Sequence, residues 1–395
     1  DTSETLPQNS AALESAIPVT DEALSNNNTG KQQDDQEGNT KKDTKKNRVL
    51  STSFFVSVIF SILITILLEV FLNPILTALN TPDEIFDMAR SYLSIYILGY
   101  VAVYLYLYFT AVLRSFGNTM FQAVAMLVST LLNAILDPIL IRIIGFHGAA
   151  IATLTSQIIC LIFMCIYISK KKLFKFTLSD FDKSEIMPLI KNSVPSVIQQ
   201  SIPAISTTFL TALVSGYGIS AIAGYGVTGK LETILFYPAM ALNMVLTSIV
   251  GQCIGGKRID RAKDYLKLSL KYGSITLIIL SLIIIVFSKQ LAGLFVASEN
   301  VAVIVNQYFT IVSIGYVLYT ITSCCLGTLN GLGKPTRSMI LMIFYYIVIR
   351  IPLAYIFASL GSDLTGIWFA ILISHIIACI ASVVCVIGSM KIKES

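Results

Sequence analysis

Leu131-Leu-Asn-Ala-Ile-Leu-Asp-Pro-Ile-Leu140 is a run of hydrocarbon side chains broken by an amide, a carboxylate and a proline. It lies inside a longer apolar block, 119–141, of the length that crosses the ~30 Å hydrocarbon layer of a bilayer. A carboxylate at that depth is costly, so Asp137 is expected to face a bundle interior or a wet cavity. There it can take up an ion, a proton or a cationic substrate. The bland alternative is that it satisfies a helix end or a contact between lobes.

The same kind of block recurs along the chain, at 51–72, 88–113, 119–141, 148–169, 192–214, 229–253, 271–291, 306–327, 338–359 and 365–388. The chain is 55% hydrophobic and only 13% charged, with a mean hydropathy of +0.75. A water-soluble domain of that composition lacks the polar surface to cover itself. Backbone groups in lipid must be satisfied within the segment, which demands helices; the alternation of a barrel strand is missing. The expected fold is an all-α polytopic membrane protein of about ten transmembrane helices, embedded in a lipid bilayer.

The net charge of +5 does not imply a nucleic-acid partner, because the basic residues sit in loops. Lys41, Lys42, Lys45, Lys46 and Arg48 precede the first span, and further clusters occupy 170–191 and 257–271. Arg114, Lys334, Arg337, Lys391 and Lys393 lie on the same side, against Arg90, Arg142 and Lys289 on the other. That asymmetry places both termini in the cytoplasm, with the protein in the plasma (inner) membrane. Four segments follow: a polar, disordered stretch at 1–47, a first membrane lobe at 48–170, a basic cytoplasmic linker at 171–191 and a second lobe at 192–390. The seven cysteines fall in or beside apolar spans without metal-ligand spacing, so they are expected to be small packing residues.

The halves repeat. Tyr92, Ile95, Gly99, Tyr100, Val101, Leu113 and Gly117 recur 216 residues later as Tyr308, Ile311, Gly315, Tyr316, Val317, Leu329 and Gly333. After a two-residue slip, Gly148, Ala152, Ser156, Ile158 and Ile159 recur as Gly366, Ala370, Ser374, Ile376 and Ile377. Two pseudo-symmetric lobes related by an axis along the membrane normal are expected. The second half has two spans before its basic loop, 192–214 and 229–253, whose counterparts would fall in the polar stretch. The expected arrangement is therefore four plus six spans, of a symmetric six plus six, with the first two helices missing.

Ala111-Val-Leu-Arg-Ser-Phe-Gly-Asn-Thr119, Leu132-Asn-Ala-Ile-Leu-Asp-Pro-Ile-Leu140 and Gly148-Ala-Ala-Ile-Ala-Thr-Leu-Thr-Ser-Gln157, with Ile249-Val-Gly-Gln252 and Gly327-Thr-Leu-Asn-Gly-Leu-Gly-Lys-Pro-Thr336, form an ordered series. In order and spacing it resembles the multidrug and toxic compound extrusion (MATE) transporters over about 45–390. The resemblance implies an alternating-access antiporter that exports amphipathic organic cations in exchange for sodium or protons. It also implies a cation site in the first lobe formed by Asn133, Asp137 and Thr155, completed in the family by an acid on the first helix that has no counterpart here. Asn133 and Asp137 stand i, i+4 and so share a helix face. Both offer hard oxygen ligands, Thr155 adds a hydroxyl, and Pro138 frees a backbone carbonyl.

Other polar residues interrupt the spans. Glu232 is a candidate for a cationic substrate or a proton, or else for structural pairing. Lys230 is too close along the helix to face it, so each is expected to find a partner on another helix. Gln199 and Gln200 are substrate candidates, with helix-to-helix hydrogen bonding as the alternative. Arg350 is expected to have a structural partner, and Glu69 to lie near the membrane interface. Tyr92, Tyr96, Tyr100 and Tyr104 are spaced by four and form one helical stripe. It is either packing surface or, through Tyr96 and Tyr100, a cavity wall that attracts organic cations.

Gly331-Leu-Gly-Lys-Pro-Thr336 superficially suggests a phosphate loop but lacks the glycine frame and a preceding strand, so no nucleotide is expected. No enzymatic constellation and no cofactor beyond the coupling ion are apparent, and no protein partner can be named. Two readings stand beside the antiporter. A lipid-linked oligosaccharide flippase would want basic groups along its cavity, and a transport-inactive membrane fragment would fit the four-plus-six count.

Overall fold

The computed structural model describes residues 28–78, 83–171, 177–296, 298–361 and 363–394. The disorder expected for 1–27 lies outside them. The apolar blocks fold as helices: α1 (Asn28–Val70), α2 (Leu72–Ala78), α3 (Asp83–Leu98), α4 (Tyr100–Ser115), α5 (Thr119–Ile144), α6 (His147–Lys171), α7 (Ile186–Ser215), α8 (Ile219–Gly255), α9 (Ile259–Gly293), α10 (Glu299–Gly331), α11 (Pro335–Ile343), α12 (Ile351–Ser359) and α13 (Leu364–Glu394). Among the described residues nine helices are long and apolar enough to cross a membrane, or ten when the bent pair α3–α4 counts as one span. This is the all-α architecture that the hydropathy predicts.

Residues 28–47 differ from expectation, because they form the first turns of α1. Lys, Gln and Glu there are good helix formers, and lengthening an existing helix needs no new nucleus. Large apolar side chains such as Ile59, Leu63 and Ile66 on α1 and Ile279, Leu282 and Val286 on α9 are exposed. A belt of that kind is stable against lipid and unstable in water.

Helices α1–α6 pack mainly on one another, as do α7–α13; these groups are the first and second lobes, and α1 and α4 meet α7 and α8 between them. The repeat is visible in the backbone. Gly117 closes α4 at φ 75° and Gly333 closes α10 at φ 73°. Asn118 N–H donates to the Leu113 carbonyl at 3.0 Å, as Lys334 N–H does to that of Leu329 at 2.9 Å. Gly145 and Gly361 repeat the left-handed turn one helix later.

Within the lobes the helices part company. The span 83–115 bends by 45° between α3 and α4. The bend sits at Gly99, where an added Cβ would lie 2.2 Å from Leu154 Cδ2 of α6. Its counterpart α10 runs unbroken through the middle of the second lobe, packed on α8, α9 and α13. There Tyr308, Phe309, Tyr316 and Trp368 are fully buried in one core. Between α11 and α12 the segment Phe344–Arg350 is a π-helix. This wider turn accommodates Pro352, which lacks an N–H and would clash with the preceding turn of an α-helix.

The linker is fastened to the first lobe. Thr52 Oγ1 accepts from Asp182 N–H at 3.0 Å, and Ser51 Oγ accepts from Thr177 N–H at 3.3 Å. Arg48 pairs with Asp182 at 3.5 Å. Asp182 caps the short turn Lys183–Glu185 by accepting from Ser184 N–H and Oγ at 2.9 and 2.7 Å. These Ser184 bonds, then the Arg48 charge, hold its carboxyl below the ordinary carboxylate range.

Candidate functional site

In the first lobe α5 carries Asn133 and Asp137 one turn apart, both half-buried. Asn133 Nδ2 donates to Asp137 Oδ1 at 3.3 Å and to Thr153 Oγ1 at 3.3 Å. Thr153 in turn donates to the Ala149 carbonyl at 3.1 Å. A carboxylate, an amide and a hydroxyl thus meet between two adjacent apolar helices. A half-turn of the Asn133 amide would present its carbonyl oxygen to the same point, giving three hard oxygens suited to a small cation.

The threonine in this cluster is not the expected one. Thr155 stands two residues beyond Thr153, about 200° further round α6. Among the described residues no hydrogen bond joins it to Asn133 or Asp137. Gln157, one turn beyond Thr153 on the same face, buries its Oε1 without a hydrogen-bond partner among the described residues.

The tyrosine stripe does not survive as one surface, because a stripe needs a straight axis and the helix bends at Gly99. Tyr92 packs on Phe146, with ring centroids 4.8 Å apart. Tyr100 packs on Tyr104 at 6.0 Å, and Tyr104 on Phe60 at 6.4 Å. Tyr96 remains half-buried on α3, on the other side of the bend from Tyr100.

The second lobe holds a larger polar cluster. Glu232, on α8, accepts hydrogen bonds from the hydroxyls of Tyr308 and Tyr316 on α10, the latter at 2.7 Å. Those tyrosines are the repeat partners of Tyr92 and Tyr100. Lys230 is exposed instead of paired in the interior. Arg350, at the end of the π-helix, is buried. It donates from Nε to Ser374 Oγ at 2.9 Å and from Nη2 to the Tyr345 hydroxyl at 2.6 Å. Its guanidinium lies 4.7 and 4.5 Å from the ring centroids of Tyr345 and Tyr346. His375 Nδ1 is 2.6 Å from the Tyr345 hydroxyl, and its Nε2 is 3.3 Å from Arg350 Nη2. Arginine can only donate, so Nε2 accepts and the ring proton sits on Nδ1. The structural partners of Arg350 are thus aromatic faces and neutral acceptors.

Beside this cluster is a cavity of about 200 Å³ lined by Gln199, Gln200, Phe236, Asn243, Tyr319 and Tyr346, among others. Phe236 lies one turn beyond Glu232 on α8. Gln200 is exposed, whereas Gln199 is buried and accepts from Asn330 Nδ2 at 3.5 Å, joining α7 to α10. Sequence reasoning missed Thr153, His375 and Tyr345 as site residues. For Tyr308, Tyr316 and Ser374 the repeat itself was the available signal.

Comparison with known proteins agrees with this architecture. Over 301 residues the chain is 24% identical to the probable multidrug resistance protein YoeA of Bacillus subtilis, covering 73% of this chain and 65% of that protein. Over 291 residues it is 25% identical to a FAD transporter of Shewanella oneidensis, covering 71% and 64%. The chain spans just under two thirds of the length of these relatives. Its fold matches a multidrug resistance MATE family transporter of the MOP superfamily, solved outward-facing, with a TM-score of 0.85 at 23% identity over 90% of this chain and 81% of that one. It also matches the Vibrio cholerae MATE transporter VcmN in its bent form, with a TM-score of 0.82 at 22% identity over 89% and 82%. The MatE family model matches residues 36–139 and 195–356. Repeat, helix path and sequence model agree, and the chain belongs to the MatE family.

Proposed function

We propose that this protein is a secondary antiporter that exports amphipathic organic cations in exchange for sodium or protons. The observation that carries the proposal is the Asn133–Asp137–Thr153 cluster. It is a half-buried set of oxygen-bearing groups inside two apolar spans, and among the described residues no ion pair involves Asp137. Such a carboxylate can hold a proton or a sodium ion, but neither permanently. Coupling requires that the ion and the cargo favour opposite arrangements of the two lobes. The excess of basic residues in the loops on the side of the N-terminal segment supports an orientation with both termini on the cytoplasmic side of the inner membrane.

The cavity in the second lobe supplies the cargo end. Its amides, aromatic rings and methionines carry no formal charge, and they suit a flat ring system with delocalised charge. At about 200 Å³ it is smaller than the roughly 300–1,000 Å³ of drug-sized pockets, so cargo entry needs the lobes to move. Glu232, one turn from Phe236 on α8, is the acid that such a movement would expose. No arginine or lysine lines this cavity, which disfavours a pyrophosphate-linked cargo. The relative named a FAD transporter makes flavins the second cargo class to test; a flat isoalloxazine ring suits this uncharged lining, whereas the pyrophosphate of FAD would have to lie outside it.

The test is efflux of a fluorescent organic cation from everted vesicles under an imposed sodium or proton gradient. Gradient-driven transport that disappears in Asp137→Asn, with expression retained, is the expected result. Full activity in that variant would remove Asp137 from the mechanism.

A further inference from the structure

On the face that carries the basic loops, the two lobes enclose a cleft of about 430 Å³. The first lobe contributes the turn from α4 to α5, with Arg114 and Gly117. The second contributes the turn from α8 to α9, with Gln252, Arg258, Arg261 and Tyr265. Three guanidinium groups therefore line one cavity, and no aspartate or glutamate lines it. Among the described residues no ion pair involves Arg114, Arg258 or Arg261, in contrast to Arg48, which pairs with Asp182. Like charges gathered around one space raise its potential and draw in an anion.

The chemistry of the walls narrows the anion. Guanidinium groups bind phosphate oxygens in pairs. The cleft also receives the first turns of α5 and α9, whose N-caps Asn118 and Arg258 make no side-chain capping bond. The first-turn N–H groups, which these cap side chains leave unbonded, add to the positive field, partly offset at α9 by Asp260 in its first turn. Depth matters as well. Arg114 ends one span, and Tyr265 is exposed just before the apolar run of α9, so the cleft lies at the level of lipid headgroups. Basic pockets between helices at that level suit anionic headgroups.

The cleft also bridges the lobes. Gln252 Nε2 donates to the Ser115 carbonyl at 2.8 Å, and Arg114 Nη1 lies 3.1 Å from Met244 Sδ. We propose that this cleft binds the phosphate of an anionic lipid headgroup, and that the bound headgroup holds the two lobes together on this face. The anion would neutralise Arg114 of one lobe and Arg258 and Arg261 of the other, so it favours the arrangement in which they are close.

The test uses purified protein and no transport, so it stands or falls apart from the antiporter reading. Binding of phosphatidylglycerol is measured in phosphatidylcholine nanodiscs for the wild type and for Arg258→Gln/Arg261→Gln. Spin labels on the two lobes flanking the cleft report their separation. The dissociation constant should rise about tenfold in the double variant, or ~1.4 kcal/mol. Phosphatidylglycerol should narrow the inter-lobe distance in the wild type only. Lys267→Gln, on α9 but outside the cleft, should bind like the wild type. Equal lipid binding in the double variant overturns the site. Saturation by inorganic phosphate that phosphatidylglycerol does not compete with overturns the lipid assignment in favour of a soluble ligand.

Discussion

The two lobes share their turns and differ in their interiors. Gly117 and Gly333 take the same left-handed conformation, and the hydrogen bonds around them match, so the repeat has kept the helix path. The side chains between those turns have diverged. In the first lobe α3 buries no residue fully, and α5 buries only Ala125 and Ser129. Its polar cluster is half-open, with Asp137 bonded to one amide. In the second lobe α10 is buried along its length, and Glu232 is clamped by two buried tyrosines. The same scaffold thus holds one carboxylate bonded to a single amide and one tied into a network.

That contrast can be broken most severely at Asp137. Asp137→Asn should abolish gradient-driven efflux, measured in everted vesicles, whereas Glu232→Gln should leave a gradient response with altered cargo affinity. If the two variants fail identically, the division of labour is wrong. A smaller effect separates the threonines. Thr153→Ala should weaken sodium binding about tenfold (~1.4 kcal/mol) by isothermal titration, with Thr155→Ala close to wild type; the reverse order would restore the residue that family resemblance implied.

Stability measurements sharpen the comparison further. Tyr316→Phe removes a hydrogen bond to a carboxyl group and should cost about 1.5–3 kcal/mol in denaturant unfolding. Its repeat partner Tyr100→Phe should change stability by less than about 0.5 kcal/mol. Equal costs would show that the lobes use these tyrosines alike. Gly117→Ala and Gly333→Ala should each cost about 1–2 kcal/mol, because both force a Cβ into the left-handed region; a large difference between them would mean that the shared turns are not equivalent.

The smallest effect belongs to the linker. The Asp182 carboxyl is held low by Ser184 and Arg48, so its contribution is complete above the ordinary carboxylate pKa. It is lost as the pH falls through the lowered value. Protease cleavage of 172–185 should therefore quicken only in strong acid, and Asp182→Asn should show the faster cleavage already at neutral pH.

Hydropathy was enough to read the helix count and the bundle, because each span must satisfy its own backbone in lipid, and recurring residues such as Gly117 and Gly333 made the internal repeat legible. It was also enough to single out Asp137 and Glu232, since an acid in an apolar run stands out against its neighbours. The bend at Gly99 was less legible. Glycine permits a bend but does not impose one, and the close approach of Leu154 from another helix, which only a residue without a Cβ allows, depends on packing that the local sequence does not display. The substitution of Thr153 for Thr155 has a similar origin, because the rotation of α6 against α5 depends on packing across both. The Arg350 network escaped notice because Tyr345, Ser374 and His375 are unremarkable singly, and only the π-helix aims Arg350 at them. The helical start of α1 escaped for the opposite reason, since composition registers polarity and not the helix next door.

The attachment of Asp182 and Thr177 to α1 bears on where the molecule can pivot. The connecting segment travels with the first lobe as part of it, and does not act as slack between two bodies. On the alternating-access reading proposed above, the flexion then falls further along the chain, in the stretch of α7 where Pro195 and Pro203 interrupt the ladder of backbone donors. On that reading, stiffening the loop leaves transport unchanged, whereas bracing that stretch of α7 stalls it.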